Sequence, residues 1–194
     1  MKQNGITVKK SATDGISASE AVTFDTQYNL DSLPGMLASG NAQIGLLPEP
    51  KLTATQITAS QSGKTVSAAI DLSEEWDKVS DNELVQGCIV ASADYIENHE
   101  GLLKKFLSEY EDSIEYMDNS DNLENAASLA VATGILPKLP IAKRAIPRCN
   151  IDFIDGKDMK ESLGAYLQIL KEKNPTIIGG KLPDDAFYYN GNAS

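Results

Sequence analysis

One histidine and two cysteines limit the covalent chemistry open to this chain of 194 residues. His99 stands in Glu97-Asn98-His99-Glu100, at the expected start of a long helix. A general base needs an imidazole that is partnered and tuned, so capping or plain solvent exposure is the expected role here. Cys88 and Cys149 form no CxxC pair and no zinc-ligand spacing. One disulfide in an exported protein is conceivable, but Cys88 lies in the apolar run Gly87-Cys88-Ile89-Val90-Ala91, and a buried free thiol is expected instead. Gly179-Gly180-Lys181 lacks the upstream glycine and the following Ser or Thr of a phosphate loop, and it precedes Pro183 rather than a helix. There is no GxGxxG and no GxSxG. No catalytic residue, metal site or cofactor is therefore expected, and the chain reads as a non-enzyme.

Carboxylates are plentiful. Glu109, Glu111, Asp112 and Glu115 read as a solvated helix face. Asp118, Asp121 and Glu124 surround a polar turn and do not match a calcium loop. Glu49 differs, because it sits between two prolines directly after an apolar run, in Leu46-Leu47-Pro48-Glu49-Pro50. In open α/β sheets ligands bind beyond the carboxyl ends of strands, and a carboxylate flanked by two φ-locked residues is preorganised there. A turn residue with a free side chain is the competing reading.

The elements that would position these groups begin with Ala21-Val22-Thr23-Phe24, β-branched and aromatic and so expected as a strand. Residues 32–40 are expected as a helix, with Ser32 as N-cap, Pro34 in the first turn and Gly40 at the C-terminus. Gln43–Leu47 reads as a short buried strand and residues 51–60 as a modest helix. Thr65–Leu72 and Gly87–Ser92 are the next expected strands, with a helical turn from Ser73 to Asp77 between them. Such alternation predicts a mainly parallel sheet. The second half changes character. Leu102, Leu103, Phe106, Leu107, Tyr110, Ile114 and Met117 give residues 100–117 one apolar helical stripe. Further helices are expected over 122–133, 141–146 and 157–173, the last carrying Met159, Leu163, Tyr166, Leu167 and Leu170 on one face.

Composition sets outer bounds. Apolar residues make up 41% of the chain, which is ordinary for a globular protein. The formal net charge of −11, with the basic residues scattered along the chain, argues against a nucleic-acid surface. No apolar run approaches the length of a membrane span, and residues 1–5 are not followed by the apolar region of a signal peptide.

The segment Leu37-Ala38-Ser39-Gly40-Asn41-Ala42-Gln43-Ile44-Gly45-Leu46-Leu47-Pro48-Glu49-Pro50 resembles the helix–Gly–x–x–Asp–Ala–x–x–x–x–Glu–Pro stretch of the nitrate, sulfonate, taurine and pyrimidine-precursor family of ABC-importer solute-binding proteins. Other similar features follow in order: Trp76 in a helical turn, the run Gly87–Ser92, the helix Leu103–Tyr116, and the ending from Ile178 to Tyr189. Gln43 and Gly45 stand where that family usually has Asp and Ala.

The resemblance implies a type II periplasmic-binding fold, an α/β class with a mostly parallel sheet and a helical C-terminal half. Residues 1–95 would form a ligand-binding lobe, and residues 96–194 would pack on a first lobe that this sequence does not include. The implied function is non-covalent capture of a small organic solute for an importer permease. The implied location is extracytoplasmic, periplasmic or as a lipoprotein. Thr26, Gln27, Tyr28, Pro48 and Glu49 would line the ligand side: Thr26 and Gln27 as hydrogen-bonding groups, Tyr28 as a stacking ring, and Glu49 as partner to an amine or ring N–H. A surface aromatic near a turn is the alternative for Tyr28. The competing functional classes are the effector-binding module of a regulator and an inactive truncated product. No nucleic-acid partner is expected. The apolar stripes starting at Glu100 and Lys157 would favour self-association if the first lobe is missing.

Overall fold

The computed structural model describes residues 28–191 in full and, before them, the backbone of residues 8–10, 16–18 and 23–24. Those three short strands are β1 (Val8–Lys10), β2 (Ile16–Ala18) and β3 (Thr23–Phe24). They pair antiparallel in the order β1-β2-β3, with Lys9 opposite Ser17 and Ser17 opposite Thr23. Seven helices follow: α1 (Leu33–Ser39), α2 (Lys51–Gln61), α3 (Leu72–Asp77), α4 (Ala93–Asp118), α5 (Leu123–Ala132), α6 (Leu139–Ala145) and α7 (Gly156–Lys173).

The expected mostly parallel sheet, and with it the type II periplasmic-binding lobe, is not what forms. All pairing among the described residues is antiparallel and confined to the three short strands. The runs Gln43–Leu47, Thr65–Leu72 and Gly87–Ser92 form no strand, and only Leu72 of them enters a helix. A short apolar run carries a local preference for extended backbone, but a strand exists only when a neighbour accepts its ladder. These runs also fail to bury their side chains: Ile44 is 91% exposed and Val90 74%. Residues 43–47 instead double back against α1. Asn41 and Ala42 donate to the Met36 carbonyl, and Gly45 lies so close to Leu33 and Leu37 that a β-carbon there would meet Leu37 Cδ1 at 2.8 Å.

The chain divides into two compact units. The first comprises residues 1–67 and 136–148. Here α1 packs on α2, and α2 on α6. The start of α1 is set by an Asn29 turn, whose side chain accepts from the N–H groups of Asp31 and Ser32. Its end is set by Gly40 in the left-handed region at φ 77°, while the Lys64 ammonium donates to the Ser39 carbonyl. A cation at the carbonyl end of a helix is favourably placed against the helix dipole. Ala59 of α2 and Ala142 and Ala145 of α6 are fully buried, so small side chains let these helices approach closely.

The second unit comprises residues 68–135 and 149–194. Asp71 caps α3 by accepting from the Ser73 N–H. The long helix α4 starts earlier than its apolar stripe requires, at the Ser92 cap, and kinks where His99 adopts φ −135° and ψ 30°. Leu103 and Ile114 of α4, Ala126, Ala127 and Ala130 of α5, and Leu163 of α7 are its buried apolar side chains, joined by Tyr188. Trp76 of α3 meets Tyr166 of α7 edge to face, with centroids 5.7 Å apart.

Thr53, in the first turn of α2, is fully buried, and its hydroxyl has no hydrogen-bond partner. Thr55 differs: its hydroxyl donates to the Lys51 carbonyl at 2.7 Å. An unpaired buried hydroxyl costs roughly 1–3 kcal/mol, and Val has the same branched shape without it. Thr53→Val should therefore raise the free energy of unfolding by about 1 kcal/mol, read as a higher urea midpoint at unchanged slope. Thr55→Val should give no such gain. A loss of stability in the first variant would mean that the Thr53 hydroxyl is bonded.

Candidate functional site

The first turn of α2 begins with a backbone that lacks a donor at Pro50, the N-cap residue. Three of the donors that follow have acceptors just upstream. Leu52 N–H donates to the Pro48 carbonyl and Ala54 N–H to the Pro50 carbonyl, both at 3.0 Å. Thr53 N–H donates to Glu49 Oε2 at 3.1 Å. The carboxylate thus closes the helix end in the manner of a cap, and its charge lies where the helix dipole favours it. The Glu49–Pro50 peptide is cis.

The other carboxylate oxygen, Oε1, faces Arg148 Nε at 3.2 Å. Arg148 ends the 3-10 turn Ile146–Arg148 that continues α6, so the pair joins the head of α2 to the end of α6 within the first unit. Glu49 is only 10% exposed in its side chain, whereas Arg148 is 41% exposed. Oε1 is buried and accepts no hydrogen bond, so the two meet as an ion pair rather than through a directed N–H···O contact. Among the described residues Glu49 is the one group paired with Arg148. Nearby, Arg144 of α6 reaches Gln56 of α2 at 3.4 Å, and Lys51 pairs with Asp31 at 3.1 Å.

The residues expected to line a ligand fare unequally. Thr26 and Gln27 lie outside the described residues. Tyr28 is 36% exposed on a bend, and no ring contact or hydrogen bond joins it to Glu49. Pro48 is exposed. Glu49 is placed as described, with both oxygens already turned towards partners of this chain. Arg148 was absent from the sequence reading, because nothing in Ala145-Ile146-Pro147-Arg148 marks a pairing with a residue so far upstream.

The remaining chemistry-bearing residues are scattered. His99 is exposed at the α4 kink, its ring 4.9 Å from that of Tyr95. Cys88 is a free thiol but an exposed one, which corrects the expectation of burial, and Cys149 is half-buried and in no disulfide. In the second unit an open cavity of about 460 Å³ is lined by Glu83, Glu111, Asp152, Asp155, Asp158 and Glu161. Among the described residues no group of three or more His, Cys, Asp or Glu side chains is placed to share a metal ion. No described helix is long and apolar enough to cross a membrane. Hydrogen bonds donated to Glu100 and Glu75 hold the ammonium groups of Lys104 and Lys78 above the usual lysine range. Both pairs lie on open surface and are worth little.

Charge is distributed unevenly between the two units. The residues of the first unit include nine basic and five acidic ones, a net of +4. Those of the second hold eight against 23, a net of −15.

No family model, no curated protein and no solved structure matches the chain.

Removing the carboxylate isolates its structural part. Glu49→Ala should destabilise the protein by about 1–2 kcal/mol, the range of a lost helix cap, measured by urea denaturation. Glu49→Gln keeps an oxygen for the Thr53 N–H and should cost less than about 1 kcal/mol, as loss of a half-exposed ion pair does. Equal costs for the two variants would assign the effect to charge and not to the cap.

Proposed function

We propose that this chain binds a small organic solute without covalent chemistry, as the capture component of a membrane importer. The observation that carries the reading is the Glu49–Arg148 pair: two opposite charges from distant parts of the chain, fixed at a helix end, with one side open to solvent. Preorganised polar groups of this kind fix the orientation of a bound ligand at little further entropic cost. The importer assignment rests on the order of sequence features around Leu37–Pro50 and no longer on a fold expectation, since the parallel-sheet lobe is absent from the described residues.

The non-enzymatic part of the proposal draws on the surroundings of the reactive side chains. His99 has an aromatic neighbour rather than a carboxylate to orient it, and a nucleophile needs an adjacent base to be activated at neutral pH. The Glu49 carboxylate is engaged by an N–H and a guanidinium, which suits a group that holds a geometry.

Calorimetric titration of the full chain against a panel of pyrimidines, sulfonates, carboxylates and amines tests the proposal. At least one class should bind, and a ligand at a hundredfold excess over its Kd should add about 2.7 kcal/mol to the unfolding free energy. Glu49→Gln should weaken that binding while leaving the thermal unfolding cooperative. A panel with no binder, or turnover of any member, would overturn the reading.

A further inference from the structure

The ligand class can be narrowed from the donors and acceptors that the Glu49–Arg148 pair leaves unused. A guanidinium carries five N–H donors and no acceptor. Arg148 has Glu49 as its one partner among the described residues, and the nearer oxygen accepts no hydrogen bond. The donor capacity of the guanidinium is thus uncommitted to the other described residues, and the side chain is 41% exposed. On the acceptor side nothing comparable is open. Glu49 Oε2 is taken by the Thr53 N–H, and Oε1 is buried beneath the guanidinium. A ligand approaching from solvent meets donors first.

We propose that Arg148 is a ligand-binding residue, that the ligand group it takes is an organic oxyanion, a carboxylate or a sulfonate, and that Glu49 is a positioning residue which holds the guanidinium in place. The planar fork of an arginine matches a carboxylate or sulfonate through two parallel N–H···O bonds, a geometry that a lysine ammonium cannot supply. An arginine already held at one edge loses less side-chain entropy on binding than a free one. The negative charge of Glu49 opposes an anion, but the first unit as a whole is basic, with nine basic residues against five acidic ones. An ammonium ligand faces the reverse: it would have to displace Arg148 to reach the buried Oε1.

This inference rests on the solute-binding reading and makes it more specific. The test is titration of the full chain with propionate, ethanesulfonate and propylammonium, followed by the arginine side-chain N–H resonances in ¹⁵N-edited NMR. Propionate or ethanesulfonate should shift the Arg148 Nε–H resonance and slow exchange of its Nη protons, and propylammonium should not. Arg148→Gln should lower anion affinity at least tenfold, and Arg148→Lys should retain only part of it. Glu49→Gln should weaken anion binding several-fold while the Arg148 resonance broadens, the signature of a released side chain. Thermal melts of each variant separate these effects from unfolding. If the anions bind but Arg148→Gln leaves affinity unchanged, or if propylammonium is preferred, the assignment to Arg148 is wrong while the solute-binding reading survives. If no probe of either charge binds, the oxyanion assignment falls, and the solute-binding reading falls with it only if the wider panel of pyrimidines, sulfonates, carboxylates and amines is silent as well.

Discussion

The head of α2 has a donor problem that its own backbone cannot solve, and the answer to it shapes the first unit. Prolines at 48 and 50 bracket the helix start, and Pro50 brings no N–H to it. The Thr53 N–H lies in the buried first turn, where an orphaned donor would cost roughly as much as a lost hydrogen bond. Glu49 supplies the acceptor, which brings a negative charge to a site only one-tenth exposed. A buried charge without a partner is expensive. The end of α6 therefore has to deliver a cation, and Arg148 does so. One local backbone requirement thus propagates into a contact between segments far apart in sequence.

That contact is consistent with the packing beneath it. The faces of α2 and α6 bury alanine at 59, 142 and 145, and Ile141 and Ile146 complete the apolar part of α6 and its continuation. Close approach of two helices leaves little room for large side chains at the crossing but places the groups at their ends within reach of one another. The Arg144–Gln56 hydrogen bond lies along the same pair of helices. The ion pair adds little attraction of its own where Arg148 meets solvent. Its importance lies in what breaking it would leave behind, an uncompensated carboxylate in a nearly closed pocket.

Elements whose signals are local were legible in the sequence. The Gly40 stop of α1, the extent of α2, the Ala-rich α5 ending before Gly134, and the apolar face of α7 all follow from caps and a 3.6-residue period. The errors concern features that depend on something distant. Gln43–Leu47, Thr65–Leu72 and Gly87–Ser92 have strand composition, yet a strand is defined by its neighbour, and no residue pattern within five or eight positions says whether one is present. Cys88 was expected to be buried for the same reason: burial was inferred from a run that never joins a sheet. Glu49 was legible as an unusual carboxylate from its two prolines alone, but its partner was not, because an ion pair across two helices leaves no trace in spacing.

A chain with a net charge of −11 is an unexpected place for an anion-binding arginine, and the charge total is a poor guide here because electrostatic effects are local. At physiological ionic strength the interaction between exposed charges decays over about 8 Å. An oxyanion at Arg148 therefore responds to the charges within that distance and not to the total over the chain. The two units differ in the sign of their net charge. Dense like charge keeps a protein soluble and disfavours association, while a modest excess of the opposite sign around one fixed guanidinium raises the local concentration of a small anion. Counting residues over the whole chain averages the two away. The division into units shows that Arg148 belongs to the part of the chain with the basic excess.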